Sequence, residues 1–188
     1  MVEANSLIGP DDIVIRRVPP SQPNFVTHYF DERGIERPTS LATRPRRNQE
    51  TKEYESSLSC SWLKITSPAE LLGHLRQLKN PKDPTGWRVC CFRVGDIELL
   101  GDGSGGTLKV RHEPELTPPV DLGHCGIYGS DGRACPRSNG VINRLAKIAR
   151  MLTEEEVANT TAGDVLATSN GLRMDLDDGP EDTTVAGG

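Results

Sequence analysis

The run Trp87–Val94, Trp-Arg-Val-Cys-Cys-Phe-Arg-Val, limits the folds open to this chain more than any other stretch. It is large or β-branched almost without a break, and it lacks the alternation of a strand with one wet face. A run of this kind, too short for a long helix, reads as a central, buried strand. Ile97–Leu100 either continues it or folds back from it. Asp102-Gly103-Ser104-Gly105-Gly106 is a turn, and 107–112 is the returning strand. The glycine run lacks the Gly-Lys-Ser/Thr ending of a phosphate loop and no helix follows it, so it reads as a plain turn.

Other strands gather around this one. Asp11–Val18 is rich in β-branched residues and ends at Pro19-Pro20, which supply no ladder donors. Leu58–Ile65 has a similar pattern. Ser67-Pro68-Ala69-Glu70 is a helix start: Ser67 caps, Pro68 suits the first helical position and Glu70 reaches back to the cap amide. Leu71, Leu72, Leu75 and Leu78 follow at helical spacing, which predicts a helix over 68–80, with His74 as a surface or boundary residue. Val141, Ile142, Leu145, Ile148, Ala149 and Leu152 form the stripe of a second helix over 138–152. Thr153-Glu154-Glu155-Glu156 starts a further helical turn.

These segments predict an α+β domain over 11–157 with a twisted, mostly antiparallel sheet. The sheet is built from 12–18, 58–65, 87–100 and 107–112, with 124–128 as a further strand, and the two helices cover one face. A flexible leader over 1–10 precedes the domain. Within it, 31–57 is dense in both signs of charge and reads as a solvated, mobile loop. Its Arg44–Arg47 run is the one place where a phosphate or an acidic partner is a sharper reading, against which stand the interleaved acids.

Charge settles what the chain is not built to attract. The formal net charge is −5. It resides in 159–188, where Asp164, Asp175, Asp177, Asp178, Glu181 and Asp182 stand against one base, Arg173. The remainder is neutral and carries no field toward nucleic acid or anionic lipid. Aromatic residues make up 4% of the chain, too few for a base-stacking surface. The segment 158–188, acidic and poor in large apolar residues, is predicted to be a disordered tail. The five cysteines, two of them adjacent, make a poor disulfide framework. No apolar run approaches a membrane span. A cytoplasmic chain without a membrane partner is the expectation.

The segment 108–129 concentrates the residues suited to chemistry. His112, His124, Cys125 and Cys135 are soft ligands, but the spacing is wrong for a zinc finger, and the neighbours His124 and Cys125 diverge in an extended chain. No metal or cofactor is therefore assigned. Cys125 or Cys135 paired with a histidine base is a further candidate, without the local signature of a cysteine protease. Arg16 and Arg17 end the first strand, and Glu113-Pro114-Glu115 ends a later one. His124 is expected at a strand start, close to Pro118-Pro119 and to the Arg16-Arg17 strand end.

An early arginine (Arg16 or Arg17), a serine or threonine element (Thr39-Ser40 or the serines around Leu58) and a late Glu-x-Glu (Glu113, Glu115) resemble the order of elements in mono-ADP-ribosyltransferases. That resemblance implies an arginine that helps hold NAD and a role for Glu115 in steadying an oxocarbenium-like transition state. Pro114 inside the Glu-x-Glu and the lack of Ser-Thr-Ser depart from the pattern. More widely, Arg16-Arg17-Val18-Pro19-Pro20, Arg37-Pro38-Thr39-Ser40, Ser59–Trp62 leading to Pro68-Ala69-Glu70-Leu71-Leu72, Asp121-Leu122-Gly123-His124 and Arg144-Leu145-Ala146 resemble a loose group of small bacterial proteins with no assigned activity. This implies an intracellular domain working beside a partner gene, host-defence and toxin–antitoxin loci included. Two expectations follow. One is a binding or accessory protein acting through a protein partner. The other is a small enzyme whose pocket gathers Arg16 or Arg17, His124, and Glu113 or Glu115, with Cys125 as an outlying candidate.

Overall fold

The computed structural model describes residues 8–47, 51–132 and 135–164. Most of the expected leader and of the expected acidic tail lies outside the described residues. The chain is α+β. Six strands form one antiparallel sheet: β1 (Ile13–Val18), β4 (Leu58–Trp62), β5 (Arg88–Arg93), β6 (Lys109–His112), β7 (His124–Tyr128) and β8 (Arg150–Met151). Their order across the sheet is β6-β7-β4-β1-β5-β8. A separate hairpin pairs β2 (His28–Phe30) with β3 (Glu36–Pro38).

The apolar run in β5 behaves as its composition requires. Val89, Cys90, Cys91 and Phe92 are all buried, because strands flank it and packed elements cover both its faces. Strand alternation sorts the core into two layers. Val14, Cys60, Trp62, Cys90, Phe92, Cys125 and Ile127 point to one side and pack with Val94 and Ile97 of α2 (Val94–Glu98) and Val141 and Leu145 of α3 (Asn139–Ile148). Ile13, Ile15, Val89 and Cys91 point to the other and meet Leu71 of α1 (Pro68–Gly73), Leu152 and Val157 of α4 (Glu154–Asn159). Each fully buried branched or aromatic side chain contributes about 1.5–3 kcal/mol. The two long apolar stripes thus cover opposite faces rather than one, since β1 and β5 offer apolar residues on both sides.

Other local expectations shift for identifiable reasons. The helix from Pro68 ends at Gly73 and tightens into a 3₁₀ turn, His74–Gln77, which keeps Leu75 buried. Ser67 caps it as expected, in a reciprocal capping box with Glu70. The stripe over 138–152 breaks at Ala149, which turns extended, so Arg150–Met151 becomes an edge strand beside β5. Residues 94–98 are helical, burying Val94 and Ile97. This carries 107–112 away from β5, and β6 pairs with β7 instead. The intervening turn is organised by Asp102, whose carboxylate accepts from the amides of Ser104, Gly106 and Ser130. Hydrogen bonds from the Ser130 side chain and amide, and from the Ser104 amide and hydroxyl, hold the carboxylate well below its usual range, and the turn leaves no open cradle for phosphate.

The charged segment 31–57 is more built than a solvated loop. It supplies β3 and a buried Ala42–Thr43 pair, and Thr43 donates to the Ile142 carbonyl of α3. Among the described residues no helix is long and apolar enough to cross a membrane.

Candidate functional site

On the α1 side of the sheet the apolar layer stops short. Here β1, β4 and β7 present Arg17, Ser59, Ser61 and His124, and alternation puts all four on this face. The chain from 113 to 123 closes over them. Glu115 and Asp121 exchange backbone hydrogen bonds of 2.9 and 3.0 Å, joining the ends of a loop that contains the cis Pro118–Pro119 bond. Between sheet, α1 and loop lies a cavity of about 280 Å³, lined by Arg17, Arg46, Ser61, His74, Glu115 and His124 among others.

Asp121 fastens the loop to the sheet. Its buried carboxylate accepts from Ser61 Oγ at 2.5 Å, Thr66 Oγ1 at 2.7 Å and the Gly123 amide at 3.0 Å. Gly123 packs so closely that a Cβ would collide with Thr66 Oγ1 and press tightly on the Trp62 carbonyl. A glycine here lets the loop settle onto β4 and sets His124 at the first position of β7.

His124 Nδ1 lies 2.9 Å from the Glu113 carbonyl. A carbonyl only accepts, so Nδ1 carries the proton and, in the neutral ring, Nε2 keeps its lone pair. That Nε2 is 4.0 Å from Glu115 Oε1, and the Glu115 side chain is half exposed. His74, expected at the surface or boundary, lines the cavity, with Nδ1 4.0 Å from Asp121 Oδ2.

The two expected arginines part company. Arg16 points into the opposite layer and is 2% exposed. It donates to the carbonyls of Ala42, Ser59 and Arg44 and to Glu55 Oε1, the last at 3.1 Å. Burial works against its charge, but the Glu55 carboxylate overrides that and holds its pKa above the ordinary value. It serves the fold. Arg17 is the one on the cavity face. Its Nη1 is buried without a hydrogen-bond partner. Burial and neighbouring Arg16 lower its pKa, while Asp121 and Glu115 act the other way.

Arg46, of the Arg44–Arg47 run in the charged segment, also lines the cavity. It donates from Nη2 to the Arg17 carbonyl at 2.9 Å and stacks over Trp87, 5.7 Å from the ring centroid. Burial, Arg16 and Arg17 push its pKa down to about 9. Three guanidiniums therefore crowd one end of the site, with the partly buried Glu55 as their counter-charge.

Cys125 lies on the far side of the sheet from His124, with its thiol 3.2 Å from the Gly123 carbonyl, and burial pushes that thiol up. Cys135 is also buried, and burial moves its thiol up to about 12. Neither environment favours a thiolate. Glu113 gives His124 its carbonyl and accepts from Tyr128 Oη at 2.5 Å through its side chain. His112 donates from Nε2 to the Leu122 carbonyl at 2.7 Å and packs edge-on against Trp62. Among the described residues no group of three or more His, Cys, Asp or Glu is placed to hold a metal ion.

The site can therefore hold a small polar molecule between a cationic end at Arg17 and an imidazole–carboxylate end at His124 and Glu115. Comparison of the chain with protein-family models, with curated proteins and with solved structures finds no match.

Proposed function

We propose that this chain is a small enzyme that takes a small polar molecule into the cavity beneath the 115–121 loop, with His124 as its acid–base group. The observation that supports this reading is convergence. Arg17, Glu115 and His124, from three separate segments, line one cavity. Folding alone gives no reason for it, because apolar residues there would close the gap and extend the core. An imidazole with its proton fixed at Nδ1 and its other nitrogen free has the form of a general base. The enclosed volume suits a small molecule or one end of a larger one, since pockets for drug-sized ligands run about 300–1,000 Å³. If the larger ligand is a nucleotide such as NAD, Arg17 rather than Arg16 is its anchor.

Native mass spectrometry of the untagged chain, purified from its own host, tests this directly. The expected result is added mass of a small molecule that His124→Ala no longer retains. A clean apo mass with a stoichiometric second protein overturns it in favour of a binding or accessory protein acting through a partner. That second reading has its own support in the exposed Phe25, Val26, Tyr29, Phe30 and Ile35 on and beside the β2–β3 hairpin. A local apolar patch of this kind marks protein contacts.

A further inference from the structure

We infer that the cavity ligand carries an oxyanion, a phosphoryl or carboxylate group, that docks on the Arg17 guanidinium, with the ligand's hydrogen-bond donors turned toward His124 Nε2 and Glu115. This rests on the cavity reading above and names the class of molecule that reading leaves open.

The polarity of the walls decides the orientation. Asp121 is already answered by Ser61, Thr66 and the Gly123 amide, so it has little acceptor capacity left for a ligand. Arg17 is in the opposite state. Its Nη1 is buried with no partner, a donor that a folded chain leaves unmade only at a cost. Arg46 is committed to the Arg17 carbonyl and Trp87, and Arg16 to three carbonyls and Glu55. At this end, Arg17 is thus the guanidinium with a buried donor left unpaired, while its two neighbours still contribute positive potential. An anion there relieves repulsion among three like charges and supplies the missing acceptor. A guanidinium fork matches the paired oxygens of carboxylate and phosphate better than any neutral group.

The other end asks for the reverse. His124 Nε2 is a lone-pair acceptor in the neutral ring, and Glu115 is a carboxylate 4.0 Å from it. An oxyanion placed there meets a like charge, whereas a hydroxyl or amine meets two acceptors. The cavity therefore reads a molecule with an acid at one end and a donor at the other.

The test is a titration of the full chain with inorganic phosphate and, separately, acetate, followed by amide and side-chain NMR shifts. Saturable shifts at Arg17, Ser61 and His124 are expected with at least one anion. Arg17→Gln should weaken the dissociation constant by about tenfold or more, the loss expected of a hydrogen bond to a charged group. Lys147→Gln, on an exposed face of α3, should leave it unchanged. Should Arg17→Gln unfold, Arg17→Lys takes its place and should bind more weakly than the parent chain. Tighter phosphate than acetate identifies a phosphoryl source, and the reverse identifies a carboxylate. Shifts that never saturate with either anion, or saturable binding that Arg17→Gln leaves intact, overturn the inference. A neutral or cationic molecule retained in native mass spectra, lost in His124→Ala but not in Arg17→Gln, sinks the oxyanion while leaving the cavity reading in place.

Discussion

Arg16 shows how far a single side chain can be from what its neighbours in sequence suggest. It adjoins Arg17, yet alternation in β1 sends one into a packed layer and the other into the cavity. A buried guanidinium survives only with its hydrogen bonds answered, and Arg16 has three carbonyls and Glu55 to answer them. Glu55 also accepts from the Arg46 amide and from Ser59, so it ties Arg46 to the sheet. Removing its charge leaves Arg16 under-compensated. Glu55→Gln should cost about 3 kcal/mol of unfolding free energy, read from urea denaturation. A change within about 0.5 kcal/mol, the range of ordinary surface substitutions, would show that the three carbonyls suffice. Sequence could name Arg16 and Arg17 as candidates because charge at the end of an apolar strand is unusual. It could not choose between them, because the choice depends on a strand register that only the paired sheet reveals. Asp121 and Arg46 lie in stretches the sequence singles out, Asp121–His124 and the Arg44–Arg47 run, but nothing local assigns either side chain its role. Each is one charged residue in a turn or charged segment until the fold closes around it.

At the level of elements, local chemistry was read best where it is self-contained. The capping box before α1 is complete: Ser67 Oγ accepts from the Glu70 amide at 3.3 Å, and the Ser67 amide donates to Glu70 Oε2 at 2.8 Å. Because α1 supplies Leu71 to the core and leads directly to His74, its first turn fixes one wall of the cavity. Ser67→Ala should lower stability by about 1 kcal/mol, measured by chemical denaturation. The same variant should weaken any ligand held in the cavity, and Lys64→Ala, outside the cap, provides the comparison. Where elements depend on partners, sequence reading misplaced them. The glycine-rich segment is a turn, as its composition predicts, but the pattern also predicts that 107–112 returns against β5. The short helix α2 intervenes and delivers β6 to β7, near the opposite edge. The apolar stripe through Leu152 looked like one helix. It is a helix, an edge strand and a following residue, all facing apolar layers, and hydrophobic spacing alone does not separate those cases.

Across the whole molecule, the sheet divides a packed thiol-bearing layer from a half-polar one. Cys60, Cys90, Cys125 and Cys135 all lie in the first. Burial pushes Cys60 and Cys135 up to about 12 from an ordinary value of 9.0, and raises Cys90, Cys91 and Cys125 as well. A thiol with a raised folded value keeps its proton longer in the folded chain than in the unfolded one. Its stabilisation is complete below about pH 9 and is lost as pH climbs through about 12. Arg46 and Arg17 oppose this, since their lowered values favour the folded chain as pH rises over this range, but they are two groups against five. Stability should therefore fall above about pH 9, by up to about 1.4 kcal/mol per pH unit for each thiol. Urea midpoints of the parent chain and Cys60→Ala, compared at neutral pH and near pH ~10.5, isolate one contribution. The gap between them should narrow with rising pH, and a constant gap would refute the thiol account. The class of fold was legible at this scale because strand-like and helix-like stretches alternate so plainly. The order of strands was not, because it is set by which layers must be filled.

The cavity walls come from β1, β4, α1, the 115–121 loop and β7, and β4 meets β7 across an interval of more than sixty residues, as between Ser59 and Gly126. No short fragment of the chain contains the site, whose lining runs from Ile15 to His124, and the unfolded chain has no counterpart of it. Occupancy and folding are therefore a single linked equilibrium. A ligand present at about a hundred times its dissociation constant raises the unfolding free energy by about 2.7 kcal/mol. On the proposed reading, the melting temperature of the intact protein is thus itself a detector that ranks small polar molecules by how tightly the cavity holds them.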